Sequence, residues 1–215
     1  MTVSYPPIDT SAYVESDPAQ VDAALHRRGL ERDGYVLFLS RVTKAKGVHD
    51  LIEAYAGSRA RDRVKLVIAG TGTALAEVRA LAAGDDRVIF LTDVDDDEKP
   101  LLMRGCATYA LPTKPEPDFV ETFGIALAEK LLTGGGPVIT TLTGGTGEAV
   151  GDTAVIVEAG DVGALRAALD RVVLEMSEHD KRALEWRGRE HALAFDRTRV
   201  FDDLFYPVAP LRLAE

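Results

Sequence analysis

Short apolar runs alternate with stretches of helical spacing along most of the chain. Residues 34–40 read Gly-Tyr-Val-Leu-Phe-Leu-Ser. Such a nearly unbroken apolar run is what a strand buried on both faces requires. Residues 64–70, 87–91, 106–112, 137–142 and 153–157 repeat the pattern, each closed by Gly, Asp or Pro. Between the runs, Val48, Leu51, Ile52 and Tyr55 recur at helical spacing, as do Leu75, Val78, Leu81 and Ala82. Leu101 and Leu102 belong to a third predicted helix, led by acidic residues over 93–98. Carboxylates complement the positive end of a helix dipole, so this run reads as a solvated helix start, with metal binding the lesser alternative. Residues 123–132 predict a fourth helix, and Leu165, Leu169, Val172 and Met176 mark a fifth.

Strand followed by helix, repeated, predicts parallel strands joined by right-handed crossovers. The expected architecture is a Rossmann-like, doubly wound α/β domain over residues 34–176. Residues 1–33 read as a linker segment with a small helix that puts Val21, Ala24 and Leu25 on one face. Residues 177–215 read as a helical tail carrying Trp186, Leu193, Phe195, Phe201 and Phe205. No internal repeat or low-complexity segment interrupts this order.

Composition narrows the function classes. At 215 residues and 46% apolar, the chain can bury a sizeable core. Acidic residues outnumber basic ones by 35 to 25, and the net charge of -10 repels nucleic acid and anionic lipid. An anionic ligand therefore needs local Arg or Lys and helix termini. The lone Cys106 permits no internal disulfide, and the four histidines form no metal-ligand spacing. No apolar run is long enough to span a bilayer, and residues 1–13 lack the basic start and apolar stretch of a signal peptide. A soluble cytoplasmic protein is the plain reading.

Open α/β sheets bind ligands at the C-terminal ends of their strands, and the chemically suggestive residues fall there. Ser40-Arg41-Val42-Thr43-Lys44-Ala45-Lys46-Gly47 follows the first run and holds three cations. Arg41 can fork across phosphate oxygens, Lys46 supplies a point charge, and Gly47 allows close approach at a helix start. Read alone, the segment also fits a solvated basic loop. Ala69-Gly70-Thr71-Gly72 is an incomplete glycine fingerprint that follows the second strand, so Gly70 and Gly72 read as a tight turn near the ligand. Glu121 and Glu129 stand eight residues apart across the start of the fourth helix. If that helix begins near Phe123 or Gly124, the N–H groups of Phe123, Gly124 and Ile125 face a diphosphate, and both carboxylates can accept sugar hydroxyls. The bland alternative is a pair of surface charges on an amphipathic helix. The glycines at 134–136 and 144–145 permit tight turns or close approach to a ligand, and Glu148 either touches that ligand or caps a turn. His49 lies near the basic loop, and nothing resembles a nucleophile elbow, a zinc-protease motif or a Walker loop.

Assembled, these segments resemble the C-terminal domain of glycosyltransferases of the GT-B fold, specifically the retaining glycosyltransferase family 4. Arg41, Lys46 and Gly47 match its diphosphate loop, the Val-Ile-Ala-Gly-Thr-Gly segment ending at Gly72 its next strand and turn, and Glu121 to Glu129 its E-x7-E motif. The resemblance implies that Arg41 and Lys46 neutralise the donor diphosphate, Glu121 contacts the donor sugar, and Glu129 holds the ribose hydroxyls. It implies that the backbone after Leu91 holds the base, and that Phe123 and Gly124 offer backbone groups beside the sugar and diphosphate. Four departures stand out: Thr92-Asp93 in place of a glycine, a longer loop over 113–120, one extra residue over 129–137, and Lys130-Leu131-Leu132 where small residues and methionine are usual.

The implied reaction is transfer of a hexosyl group from a UDP-, GDP- or ADP-sugar to an acceptor hydroxyl with retained configuration, with no cofactor. The donor is the expected ligand, nucleic acid is not, and the acceptor is left open. A second, N-terminal domain is implied as partner, in the same polypeptide or as a separate chain, with the aromatic tail around Trp186 and Phe195 crossing onto it. Alternatives are a GT-B sugar-nucleotide epimerase or phosphorylase, a non-catalytic nucleotide-sugar-binding module, and, more distantly, a dehydrogenase.

Overall fold

All six apolar runs become strands of one parallel sheet: β1 (Tyr35–Leu39), β2 (Lys65–Ala69), β3 (Val88–Leu91), β4 (Thr108–Leu111), β5 (Val138–Thr141) and β6 (Val155–Val157). The structure, a computed structural model, describes residues 5–14 and 17–205. The outer parts of the expected linker and tail, residues 1–4 and 206–215, and residues 15–16 lie outside the described residues.

The strand order is β3-β2-β1-β4-β5-β6, the doubly wound arrangement expected. The winding reverses between β1 and β4, which opens a crevice at their carboxyl ends. Central strands have no solvent face. Tyr35, Val36, Leu37 and Phe38 of β1 and Tyr109, Ala110 and Leu111 of β4 are fully buried. The buried phenols all find backbone acceptors: Tyr35 donates to Leu102 O (2.6 Å), Tyr55 to Val64 O (2.7 Å) and Tyr109 to Leu39 O (2.7 Å). Each bond removes the cost of a lone buried hydroxyl.

Helices cover both faces. α3 (Val48–Ala56) packs with α4 (Leu75–Leu81) and α8 (Val162–Asp170). On the other side α5 (Glu98–Gly105) and α6 (Ile125–Thr133) lie between α2 (Pro18–Arg27) and α9 (Glu178–Ala192). A one-turn helix, α1 (Ser11–Val14), rests on α6, and α7 (Thr146–Val150) links β5 to β6. Val21, Ala24 and Leu25 of α2 are buried against α5, so the small N-terminal helix completes the same core.

After α8 a π-helical turn, Arg171–Glu175, leads to α9, a 3₁₀ turn at Leu193–Phe195 and α10 (Arg197–Phe205). The tail is helical as expected, but its aromatics part company. Trp186 is 67% exposed, whereas Phe195 is buried, edge-on to Phe123 (4.9 Å) and to Tyr5 (5.1 Å). Phe195 thus belongs to this chain's own core and is not available to a partner. No helix among the described residues is long and apolar enough to cross a membrane.

Candidate functional site

The loop after β1 carries the three cations, and the structure gives each a different fate. Arg41 is exposed, with no ion partner among the described residues. Lys44 reaches Glu77 at 3.3 Å, and His49 approaches the same carboxylate at 3.2 Å. Lys46 turns inward, is 7% exposed, and pairs with Glu121, itself 9% exposed. The Lys46 ammonium also lies 5.5 Å from the centre of the Phe119 ring. Phe119 comes from the long loop over 113–120, where Glu116 and Phe119 form an isolated bridge and Lys114 grips Asp50 at 2.9 Å. That loop thus sets an aromatic ring beside the Lys46 ammonium.

The glycines around the crevice let one backbone touch another. Gly47 takes φ +69°, and a Cβ there meets Pro112 O at 1.9 Å. A Cβ on Gly70, at φ +127°, meets Ser40 O at 2.1 Å, and one on Gly72 meets Val42 O at 2.3 Å. A side chain at either position would drive the second loop off the first. The glycine segment is thus the tight turn that its incomplete fingerprint suggested. Leu91, at the end of β3, accepts the Gly70 N–H at 2.8 Å, so its carbonyl is already engaged. Gly144 and Gly145 serve the 121–122 backbone in the same way: their Cβ positions fall 1.9 Å from Glu121 O and 2.1 Å from Thr122 O. Gly145 N donates to Glu121 O at 2.8 Å. Beneath them, Thr113, Thr143 and Thr146 link their hydroxyls to the ends of β4 and β5.

The fourth helix starts later than its sequence suggests. Gly124 adopts φ +93°, outside right-handed helical space, so α6 begins at Ile125 and not at Phe123 or Gly124. The N–H groups of Phe123, Gly124 and Ile125 donate to no backbone carbonyl among the described residues. With α6 starting at Ile125, its open, positive end is formed by the N–H groups of Ile125 and Ala126, while those of Phe123 and Gly124 lie just before it. The Phe123 ring packs inward, leaving only its backbone near the crevice.

Glu129 lies in the second turn of α6. Its carboxylate is half-buried and accepts a hydrogen bond from the Tyr13 hydroxyl of α1 at 2.8 Å. Burial lifts the Glu129 carboxyl above its ordinary range, while the Tyr13 bond and the nearby Lys99 charge pull it back. Burial and the same carboxylate push the Tyr13 phenol upward.

A cleft of about 260 Å³ gathers these parts at the switch point. The loop after β1 contributes Arg41, the loop after β2 contributes Gly70 and Thr71, and α6 contributes Ala126 and Glu129. Val94 and Lys99 close the far side. Arg41, Gly70 and Glu129 thus line the same cleft. Lys46 and Glu121 lie outside the lining of this cleft, paired with each other. Tyr13, Val94 and Lys99 escaped the sequence reading. Lys99 had a signal, a cation at the start of a helix leading from a crevice strand. Tyr13, which arrives from 116 residues away, had none. No group of His, Cys, Asp and Glu suited to a metal ion occurs among the described residues.

Comparison with known proteins gives a consistent answer. The sequence profile of the family described as glycosyl transferases group 1 matches residues 25–187. O-antigen chain mannosyltransferase B of Escherichia coli is 25% identical over 164 residues, which are 74% of this chain and 42% of that protein. N-acetyl-alpha-D-glucosaminyl L-malate synthase of Bacillus anthracis is 29% identical over 160 residues, 72% of this chain and 39% of that protein. The chain therefore spans less than half the length of these curated relatives. The Anabaena Alr3699/HepE protein, solved in complex with UDP and glucose, has the same fold, with a TM-score of 0.79 at 23% identity. That likeness covers 94% of this chain and 55% of the other. With the profile running from α2 well into α9, through every strand of the sheet, the chain belongs to the glycosyl transferases group 1 family.

Proposed function

We propose that the chain is the donor-binding, C-terminal half of a retaining GT-B glycosyltransferase that moves a hexosyl group from a UDP-, GDP- or ADP-sugar to an acceptor hydroxyl. The observation that carries this reading is the convergence of Arg41, the loop glycine Gly70 and the first turns of α6 on one cleft. A cation and the open end of a nine-residue helix suit a diphosphate, and a carboxylate one turn further suits a ribose. The names of the relatives, a mannosyltransferase and an N-acetylglucosaminyl malate synthase, support sugar transfer. The Anabaena structure with UDP and glucose supports a nucleotide-sugar ligand.

In this reading Arg41 and the α6 N-terminus stabilise the negative charge that develops on the leaving diphosphate. Lys46, which lies paired with Glu121 outside the cleft lining, shifts on donor binding to share its charge between Glu121 and the phosphoryl oxygens. Glu121 holds that ammonium in place and faces the donor sugar. The acceptor and the rest of the active site would belong to a second, N-terminal domain.

Titration calorimetry of the chain with UDP, GDP and ADP tests the site. Arg41→Ala and Lys46→Ala are each expected to weaken the tightest of these ligands about tenfold or more, as loss of a charged hydrogen bond predicts. Unchanged affinity in both variants puts the diphosphate elsewhere.

A further inference from the structure

Among the described residues that line the cleft, Glu129 is the only carboxylate, and two cations, Arg41 and Lys99, line it as well. A free glutamate there has a choice of partners, and swinging onto Arg41 would take that guanidinium away from a phosphate. The structure holds the carboxylate by another contact. The Tyr13 hydroxyl donates to Glu129 Oε1 at 2.8 Å. Tyr13 in turn is fixed through its backbone: Arg104 donates to the carbonyls of Tyr13 (3.3 Å) and Val14 (3.2 Å). The preceding segment is anchored on the tail, with Ile8 N on Phe195 O and Arg197 N on Ile8 O, both at 2.9 Å, and Thr10 Oγ1 on Asp196 at 2.6 Å. A single-turn helix is thus braced from two sides to deliver one phenol.

We propose that Tyr13 is a positioning residue that fixes the Glu129 carboxylate to accept hydrogen bonds from the vicinal diol of a nucleotide ribose. The inference rests on the nucleotide reading of the cleft. An ionised carboxylate offers about four lone-pair sites, so one bond from Tyr13 leaves the other oxygen free for a pair of hydroxyl donors. The tyrosine bond also works against the desolvation that burial imposes and keeps Glu129 an acceptor. Among the described residues, the charged and titratable groups facing Glu129 are Tyr13 from α1, Asp96 just before α5, Lys99 in its first turn, Arg41 after β1, and Tyr109 on β4. Protonating Glu129 removes acceptor capacity, so preference for the diol falls as pH drops through its titration. Loss of the Tyr13 bond moves that midpoint upward.

The test uses whichever of UDP, GDP and ADP binds the chain most tightly, beside its 2′,3′-dideoxy form. The wild-type protein is expected to prefer the ribose form about tenfold or more, from two hydrogen bonds to a charged acceptor. Tyr13→Phe is expected to reduce that preference to about threefold or less, to change dideoxy affinity by less than about twofold, and to raise the pH midpoint of the preference. Full preference with an unmoved midpoint in Tyr13→Phe overturns the role of Tyr13 and leaves the nucleotide site standing. Equal weakening of both ligands also overturns it, because Tyr13 then only supports the fold. If Glu129→Ala keeps the preference, or none of the three nucleotides binds, the reading of the cleft itself fails and the inference with it.

Discussion

Lys130 shows how a single side chain can depart from its surroundings and still fit them. It lies on α6 with 1% of its surface exposed, and its ammonium donates to the carbonyls of Met103, Gly134 and Gly135. Burial pulls its pKa below the ordinary lysine range. The charge is tolerated because it is fully hydrogen-bonded, and in return it pins the glycine turn over 134–136 that leads into β5. The sequence marks Lys130 as a departure from the family pattern but cannot say what it grips, since Met103 lies on another helix. Lys130→Met keeps the volume and strips three carbonyls of their donor. It is expected to destabilise the chain by about 2–4 kcal/mol, read as a lower urea midpoint in circular dichroism. An unchanged midpoint means that water replaces the ammonium without loss.

At the scale of elements, the alternation of apolar runs and helical spacings was legible in the sequence, whereas the helix caps were found only in the structure. Six apolar runs and the helical spacings between them locate every strand and the main helices, because a fully buried parallel strand leaves no room for polar residues. Asp161 caps α8 through a 2.8 Å bond from Ala164 N, and Asp17 and Ser177 do the same for α2 and α9. Asp161→Ala is expected to cost about 1 kcal/mol, measurable as a fall in the thermal midpoint without change in nucleotide affinity. A loss of affinity would instead tie α8 to the cleft. Boundaries were less legible. The α6 start moved to Ile125 because Gly124 adopts a left-handed conformation, which the residue type permits but does not announce. The pairing of Lys46 with Glu121, 75 residues apart, and the reach of Tyr13 to Glu129 depend on how distant segments fold together, and no local pattern announces them.

For the molecule as a whole, carboxylates pull stability in opposite directions as pH changes. Asp85 accepts both arms of Arg61, at 3.0 and 3.1 Å, and the Arg87 N–H, which holds its carboxyl below the usual range. Asp196 is lowered likewise by Thr10 and Thr198. A carboxyl lowered in the fold contributes stability above its unfolded pKa, near 3.8 for Asp85, and loses it as pH falls through the lowered value. Asp33 and Glu129 are raised by burial and act in the opposite sense: their ionised forms cost stability at neutral pH, a cost relieved on protonation. Asp85→Asn is expected to lower stability at pH 7 by about 1 kcal/mol or less, since the pair is partly exposed. It should also flatten the decline as pH falls below about 4, followed by urea unfolding across that range. An acid decline as steep as that of the wild type would assign it to other groups.

The loops at the carboxyl ends of the strands meet main chain to main chain: Gly47 on Pro112, Gly70 on Ser40, Gly72 on Val42, Gly144 on Glu121. A joint of this kind contains nothing that a substitution can trim or enlarge, so the floor of the cleft is a fixed platform. Under the proposed nucleotide reading, changes in ligand choice would come from lining side chains that take no part in those seams, Thr71, Val94, Lys99 and Ala126. A library confined to those four positions would explore ligand choice while the scaffold stays intact, whereas one spread over the glycines would mostly yield chains that no longer fold.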